Sequence, residues 1–410
     1  MDDAQFAEMA DWIAAAGLVG ESETAMVAQF CERLKGFGIP LARASVFIDT
    51  LHPTYEGRIF SWQASGQETK LTEYPRTGEE GEPAERWRRS PFYRLLETGE
   101  AALRRRLTST SETGSPEFPI LADHAVAGMT DYLAVVNRIA AEHAIGDMDC
   151  VYSSWVTNSP EGFRDRDIAE IQRLMPLLAL AIKSASLARI AGTLVETYLG
   201  RDPGRRVLSG RIARGVADRI EAVLWFSDLR HYTSITEAAR PDAIIPFLND
   251  YADAIFSAIH EKGGDVLKLM GDGTLAIFTA DEPRQACRAA LAAFAAASLA
   301  IAALNASRSA RGEPTTDIYL GLHLGEVFYG NIGSKDRLDF TVVGPAVNEV
   351  SRIAAMCRSI EQPVLVSAGF AEALGDAANR LVSVGRYALR GVGRAQMLYT
   401  LEPDALLTED

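Results

Sequence analysis

The spacing of apolar residues changes from helical to strand-like within the first part of the chain. Over residues 1–38, apolar positions such as Phe6, Met9 and Ile13 recur every three or four residues, which predicts helices. Short runs rich in β-branched and aromatic residues follow and predict strands. These runs are residues 44–48, 58–62, 132–136 and 150–156. The N-terminal part is therefore predicted to combine helices with a sheet.

One apolar stripe then runs from residue 165 to residue 199, with apolar positions three, four or five residues apart. This length exceeds that of an ordinary globular helix. It predicts either a long helix that pairs with a second copy of the chain, bent or broken near Pro176, or two ordinary packed helices. Residues 200–206 contain Gly200, Pro203 and Gly204 and predict a break in the helix and a domain boundary.

Strand and helix patterns alternate from Ala222 onward. A strand at 222–227 precedes an amphipathic helix over about 242–259. Strands at 266–270 and 274–278 flank a Gly-Asp-Gly turn, an arrangement typical of a hairpin. An alanine-rich helix and further strands from residue 318 follow. Helices combined with a sheet that is mainly antiparallel predict an α+β fold.

These patterns predict two folded regions, which agrees with a length of 410 residues. In the first region, helices, strands, a loop-rich middle and a long closing helix resemble a GAF-type sensory module. The predicted organisation is N-terminal helices over 1–38, a GAF-like regulatory domain over 39–185, a helical linker or transducer over 186–221 and a C-terminal domain over 222–405.

The composition of the chain mainly argues against several kinds of site and location. A net charge of -14 argues against a general nucleic-acid-binding surface. The four cysteines are far apart, so the sequence predicts neither a zinc site nor a disulfide scaffold. The N-terminus lacks the features of a signal peptide, and the apolar run at 286–304 is interrupted by Arg288. We therefore expect a cytoplasmic protein without a membrane span.

Two aspartates lie where strands end. Asp228 follows the strand at 222–227, and Asp272 occupies the predicted hairpin turn. If these strands are neighbours, the two carboxylates can share hard cations such as Mg²⁺. Simpler alternatives exist, because Asp-Gly favours a hairpin turn whatever the function, and Asp228 can cap a helix. The two residues alone leave these alternatives open.

Three separated motifs occur in the order and approximate spacing found in class III adenylate and guanylate cyclases. They are FSDLRHYT at 226–233, KLMGDG at 268–273 and VGPAVNEVSR at 343–352. The resemblance covers about residues 222–401. It implies a ferredoxin-like α+β catalytic domain that works as a head-to-tail homodimer, with active sites shared between the protomers.

The resemblance implies a role for each motif. It makes Asp228 and Asp272 the ligands of Mg²⁺ or Mn²⁺, two ions per active site. Asn348 and Arg352, one helical turn apart, would come from the partner protomer to orient the ribose and to stabilise charge on the phosphate. Backbone amides at the start of a helix would hold the terminal phosphates. These amides belong to Leu229, Arg230, His231, Tyr232 and Thr233.

The resemblance assigns base selection to Lys268 and Thr341. A lysine can donate to adenine N1 and a threonine hydroxyl can accept from the exocyclic amine, whereas guanine presents the opposite order. The pair therefore predicts ATP as substrate and places the chain in the lysine-threonine subgroup, some members of which respond to bicarbonate. Asp339, two residues before Thr341, leaves the register of the second base position open.

Two positions depart from the family pattern. His231 and Tyr232 stand where glycine and phenylalanine are common, which predicts a phosphate loop of different shape or lower flexibility. A late lysine that contacts the triphosphate in the family has Arg390 or Arg394 as its nearest counterpart.

The resulting prediction is an adenylate cyclase regulated by its N-terminal domain, which can bind a small-molecule ligand. A guanylate or other nucleotidyl cyclase is one alternative. A catalytically inactive scaffold that binds a signal is another, although such domains usually lack a metal aspartate or the arginine, and this sequence has both.

Overall fold

The computed structural model describes residues 1–66, 68–76, 78, 80–107, 117–139, 145–146 and 148–402, except for the side chains of residues 376 and 377. The end of the predicted C-terminal domain, residues 403–405, lies outside the described residues. The chain divides into two compact units, Met1–Leu194 and Val195–Asp410.

The first unit contains helices at both ends and strands between them. In chain order its elements are α1 (Asp3–Val19), α2 (Glu23–Gly36), β1 (Arg43–Asp49), β2 (Tyr55–Gln63), β3 (Lys70–Pro75), α3 (Glu82–Arg88), α4 (Pro91–Thr98), β4 (Ala102–Arg106), α5 (Pro119–Val126), β5 (Asp131–Arg138), β6 (Cys150–Thr157) and α6 (Asp165–Leu199). The predicted helices within 1–38 and the four predicted strands are confirmed.

The strands form one sheet in the order β3-β2-β1-β6-β5-β4, with all neighbours antiparallel. Side chains of β1 alternate between its two faces. Ala44, Val46 and Ile48 pack in a core with α1, α2 and α6, whereas Phe47 packs against a second core that includes α4 and α5. The sheet is therefore covered on both faces.

The long helix predicted from the apolar stripe is confirmed as α6. It continues through Pro176, so no break occurs there. Pro176 itself is exposed, and the neighbouring Leu174, Met175 and Leu178 are fully buried in the core. Packing on this buried side compensates for the backbone hydrogen bond that a proline removes.

The second unit begins within α6 and consists of one sheet with helices on both of its faces. Its further elements are α7 (Arg201–Leu208), β7 (Ala217–Leu229), α8 (Tyr232–Ala238), α9 (Pro241–Glu261), β8 (Asp265–Met270), β9 (Gly273–Phe278), α10 (Pro283–Ala310), β10 (Ile318–Gly333), β11 (Leu338–Val343), α11 (Pro345–Ser359), β12 (Val364–Ser367), α12 (Ala368–Leu374), β13 (Leu381–Tyr387) and β14 (Gln396–Leu401).

The predicted break in the helix after α6 occurs at Gly200, and a second helix follows it directly. Gly200, at φ 93°, ends α6, but Arg201–Leu208 form α7 at once. Pro203 lies in the first turn of α7, where no intrahelical partner for its missing N–H is needed. Gly204 allows α7 to pack closely, because a Cβ there would lie 2.8 Å from the Cα of Glu196. The glycines thus permit a tight helical turn here.

The central strands of the second sheet run in the order β10-β7-β9-β8, with all neighbours antiparallel. With α9 between β7 and β8, and α10 between β9 and β10, this is the βαββαβ order of ferredoxin-like folds. The predicted α+β fold is confirmed. Strands β12, β14 and β13 extend the sheet beyond β10, and β11 forms a hairpin with β10.

The two faces of this sheet are covered differently. Val223 and Trp225 of β7 pack with α9, α10 and α12, whereas Ala222 and Leu224 face α11 and the β10–β11 hairpin. Since side chains of a strand alternate, Asp228 follows Ala222 and Leu224 onto the face of α11. The helices α9 and α10 therefore cover the face opposite to this carboxylate.

Two helices, α6 and α10, are long and apolar enough to cross a membrane by length and composition alone. Core helices of proteins outside membranes can pass the same test. Both helices bury apolar residues in the cores of their units, Ile171 and Leu178 in α6 and Ala290 and Phe294 in α10.

Candidate active site

Asp228 and Asp272 are brought together by the pairing of three strands. Asp228 is the penultimate residue of β7, and the preceding Ser227 pairs with Thr274 of β9. The β8–β9 hairpin turns through Gly271 and Asp272, and Gly271 has a φ of 67° that suits glycine. The turn therefore places Asp272 beside the end of β7, and the two carboxyl groups are hydrogen-bonded to each other.

This pair has an unusual electrostatic environment. Burial, together with the hydrogen bond and the negative charge of Asp272, raises the pKa of Asp228 to about 7. The positive charge of Arg358 opposes this shift. Within the described residues, no arginine, lysine or histidine forms an ion pair with either carboxylate. Two half-buried carboxylates thus face each other without an ion pair to either of them among the described residues.

The donor set at this point fits a hard divalent cation. Carboxylate oxygens are the ligands that Mg²⁺ prefers, and one or two protein carboxylates suffice when phosphate oxygens and waters complete its coordination. No group of three or more His, Cys, Asp or Glu residues suited to a metal occurs within the described parts of the chain. A bound cation here would therefore depend on ligands beyond these two side chains, which agrees with a site for a metal-phosphate complex.

The segment after Asp228 differs from the prediction. Leu229 still belongs to β7, and the backbone amide of Arg230 donates to the carbonyl of Asp317 at 2.8 Å. The prediction that the Arg230 amide is available for phosphate is therefore wrong, because strand pairing continues one residue further. The helix α8 begins only at Tyr232 and has seven residues. His231, Tyr232 and Thr233 remain as the residues at its start.

His231 adopts a left-handed backbone conformation with φ 55°. Glycine adopts this conformation freely, whereas a residue with a Cβ pays on the order of 1 kcal/mol. The sequence analysis identified this position as one where the resembled motif commonly has glycine. His231 thus adopts the backbone conformation that a glycine would adopt at this position, so any difference in loop shape comes from its side chain.

Lys268 lies on β8 and Thr341 lies on β11, and these two strands are in contact although they do not pair. Lys268 comes directly after a register shift at Val266, and Thr341 lies opposite Gly330. The Nζ atom of Lys268 forms an ion pair with the carboxylate of Asp339, also on β11. The lysine predicted to bind the base therefore already has an ion-pair partner. The sequence analysis mentioned Asp339 only as an alternative to Thr341 for the second base position.

Asn348 and Arg352 lie on the exposed side of α11. The opposite side of this helix, with Val350, Ile353 and Ala354, is buried against β10. The side chains of Asn348 and Arg352 make no hydrogen bond or ion pair with any residue in the described ranges. Both are therefore available to a ligand or to another molecule.

Asn348 and Arg352 are separated from the aspartates of their own chain by the side of α11 on which they lie. The buried side of α11 packs on the sheet face that carries Asp228, with Val350 and Ala354 against Gly321 of β10. Asn348 and Arg352 lie on the opposite, exposed side of the helix. The last turn of α11 contains Arg358, whose positive charge acts on Asp228.

Arg390 and Arg394, the two candidates for the late triphosphate contact, are both exposed in the connection between β13 and β14. Sequence reasoning missed Arg358 as a residue that affects Asp228. Its only signal in the sequence is its position on α11, six residues after Arg352.

Comparison with known proteins gives a match between residues 217–403 and the family model of the adenylate and guanylate cyclase catalytic domain. The adenylate cyclase of Anabaena cylindrica is 36% identical over 157 residues, which are 37% of this chain and 30% of the relative. Adenylate cyclase 1 of Rhizobium meliloti is 26% identical over 252 residues, 59% of this chain and 37% of the relative. The chain thus spans about a third of the length of these relatives.

Among solved structures, that of the guanylyl cyclase Cya2 is 30% identical in sequence. The matched region covers 45% of this chain and 93% of that structure, with a TM-score of 0.40.

Proposed function

We propose that the chain converts ATP into 3′,5′-cyclic AMP and pyrophosphate, on the basis of the match of residues 217–403 to the adenylate and guanylate cyclase catalytic domain. The observation that carries the proposal is the carboxylate pair Asp228 and Asp272, which lies inside the matched region and forms no ion pair within the described residues. Two curated relatives of this region are named adenylate cyclases, which supports the same activity.

In the proposed reaction, the ribose 3′-oxygen forms a bond to the α-phosphorus and the 3′-hydroxyl loses its proton to water. The bond between the α-phosphorus and the oxygen bridging to the β-phosphorus breaks, and pyrophosphate leaves. Asp228 and Asp272 would hold Mg²⁺ or Mn²⁺, proposed as two ions per site. When bound, such cations polarise the phosphate and neutralise the charge of the triphosphate.

The remaining roles in one protomer follow from position. The residues at the start of α8, His231, Tyr232 and Thr233, directly follow the carboxylate pair in the chain, so we assign them to the terminal phosphates. Lys268 donates to adenine N1 and Thr341 accepts from the exocyclic amine, which selects ATP over GTP.

A second copy of the chain completes the site. Asn348 and Arg352 lie on the exposed side of α11, opposite the side that packs on the sheet face of their own carboxylate pair, so we assign them to the site of the partner. Exposed apolar side chains near Lys268 support this association, because such residues at a strand surface suit a protein interface. They are Leu269, Met270, Phe328 and Val343, each more than 40% exposed.

The N-terminal unit is proposed to be a GAF-like sensory module that regulates turnover through a small-molecule ligand. Its six-stranded antiparallel sheet with helices on both faces, followed by the long α6, supports this assignment. The cytoplasm remains the predicted location.

Turnover by the purified full chain tests the activity. With Mn²⁺ we expect cyclic AMP from ATP and much slower turnover of GTP, CTP and UTP, measured by separating the cyclic products. Arg352→Ala should reduce the rate strongly, since the arginine stabilises charge in the transition state. If the wild type forms no cyclic product, the proposal is wrong. If it turns over GTP faster than ATP, the chain is a guanylate cyclase instead.

Mixing two inactive variants tests the shared site. Asp228→Ala and Arg352→Ala each remove a different half, so a mixed dimer keeps one intact site. Equal amounts should recover about a quarter of wild-type turnover, since half of the dimers are mixed and each has one working site of two. If each variant stays as inactive in the mixture as alone, the halves of the site come from one chain.

A further inference from the structure

The ion pair between Lys268 and Asp339 joins β8 to the β10–β11 hairpin. The two side chains are 43% and 42% exposed, so the pair lies at the surface of the unit and is accessible to a ligand. Among the described residues, this is the one ion pair that either side chain makes.

Asp339 and Thr341 point to the same side of β11. Side chains alternate along a strand, and the intervening Phe340 and Val342 are 5% and 3% exposed in the core. Asp339 and Thr341 are therefore neighbours on the outer side, with Cα atoms about 7 Å apart. The lysine partner and the proposed adenine-binding hydroxyl thus share one surface.

We propose that Asp339 is a positioning residue that holds Lys268 in place for the adenine ring. The inference rests on the proposed function, since it concerns the base site of that reaction. A lysine ammonium has three N–H donors and a flexible four-carbon stem. Donation to Asp339 leaves two donors for adenine N1, and it fixes the stem before the nucleotide arrives. Binding then loses less side-chain entropy than with a free lysine.

A purely structural role for this pair is disfavoured by its surroundings. Exposed ion pairs contribute little to stability. The hairpin is held instead by Phe340, whose ring packs edge-on against Tyr329 at a centroid distance of 4.9 Å, and by the buried Val342. Loss of the Asp339 charge should therefore leave the hairpin folded and affect Lys268.

The test compares Asp339→Asn with the wild-type full chain in the presence of Mn²⁺. We expect KM for ATP to rise about threefold to fivefold while kcat changes less than about twofold, as the loss of one exposed ion pair allows. Asp339→Glu should restore most of the affinity, because it keeps the carboxylate. Asp336→Asn is the matched control, since it removes the same charge from an exposed position of the same hairpin, and it should change neither constant.

A double-mutant cycle separates positioning from structure. In a Lys268→Ala background, Asp339→Asn should have no further effect on the affinity for 3′-deoxy-ATP, which binds but lacks the hydroxyl needed for cyclisation. Calorimetry gives this dissociation constant independently of turnover. An equal loss of affinity in both backgrounds, or no loss in either, overturns the proposal.

The same measurements distinguish the two proposals. If the wild type forms cyclic AMP and Asp339→Asn is unchanged, only the positioning role fails. If the wild type binds 3′-deoxy-ATP through the predicted cycle but forms no cyclic product, only the cyclase reaction fails. If the wild type does not bind 3′-deoxy-ATP, both are overturned.

Discussion

The two units treat a buried aspartate in opposite ways. Asp131, at the start of β5, has no exposed surface, and its carboxylate accepts from Arg104 at 2.8 Å and from the backbone amide of Phe163 at 3.0 Å. Arg106 lies 3.6 Å away. Asp228, near the end of β7, faces a second carboxylate instead and has no ion pair within the described residues.

This difference separates a carboxylate that stabilises a fold from one kept for a ligand. Asp131 has its full set of donors, so its removal should affect stability. Asp228 is held at a cost, because burial and Asp272 both disfavour its charged form. Groups of this kind concentrate at functional sites. Four predictions test whether the contrast holds.

The largest expected effect is on turnover. Asp228→Ala and Asp272→Ala should each lower kcat for cyclic AMP formation by about a thousandfold or more, because each removes half of the proposed metal-binding pair. Steady-state rates with Mn²⁺ measure this. Asp253→Ala, at an exposed position of α9, is the control and should retain wild-type rates. Substantial turnover in either site variant contradicts the assignment.

The next effect is on the stability of the N-terminal unit. Asp131→Ala removes the acceptor of the buried Phe163 amide and the fully buried partner of Arg104, which keeps, among the described residues, only its bonds to Asp165 and to the Phe163 carbonyl. The change should cost about 3–5 kcal/mol. Hydrogen exchange in peptides from β5 and β6, measured by mass spectrometry, reports this loss locally. Asp165→Ala is the matched control, since its carboxylate also bonds Arg104 at 2.9 Å but is 97% exposed. Equal effects of both variants would abolish the distinction between buried and exposed pairs.

Of the two aspartates in this comparison, the sequence predicted the surroundings of Asp228 but not those of Asp131. The hairpin around Asp272 and the strand before Asp228 follow from local patterns, because turn residues and apolar alternation act over a few positions. The break at Gly200 was predicted, but the bounds of α7 were not, because Gly and Pro residues suit a loop equally well. What makes this segment helical includes packing of Gly204 against Glu196.

Contacts between distant segments were beyond the sequence. The ion pair between Lys268 and Asp339 depends on how the β10–β11 hairpin reaches β8, which no local pattern determines. The loss of the Arg230 amide to Asp317 is of the same kind. The order of the three motifs predicted a set of site residues, whereas the spatial partners of these residues required the folded sheet.

A smaller effect concerns the pH dependence of stability. It arises from His323, a largely buried side chain that stays neutral in the folded protein. Burial lowers the pKa of His323 to about 4, while Nδ1 lies 2.9 Å from Ser367 Oγ and Nε2 3.7 Å from Glu349. The unfolded chain takes up this proton first, so the free energy of unfolding should fall by roughly 1–3 kcal/mol as pH drops from about 6.5 to about 4. Denaturant titrations at several pH values should show a weaker dependence for His323→Gln. Identical pH profiles would contradict the prediction.

The smallest effect reverses the usual direction of a mutation. Without divalent cations, Asp228→Asn should raise the stability of the C-terminal unit by about 1 kcal/mol, since it removes a disfavoured charge that solvent still partly screens. Calorimetry in EDTA measures the shift in Tm. Addition of Mn²⁺ should raise Tm of the wild type more than that of the variant. A lower Tm for the variant in EDTA would mean that Asp228 stabilises the fold as Asp131 does.

The placement of Asn348 and Arg352 on the exposed side of α11 has a consequence for the rate law. If no chain alone contains a whole site, turnover per molecule must decline on dilution once copies separate. Specific activity then becomes a direct readout of self-association, and its half-maximal concentration gives the dissociation constant of the pair. A signal that changes only this association would alter the rate of a dilute sample and leave a concentrated one unchanged.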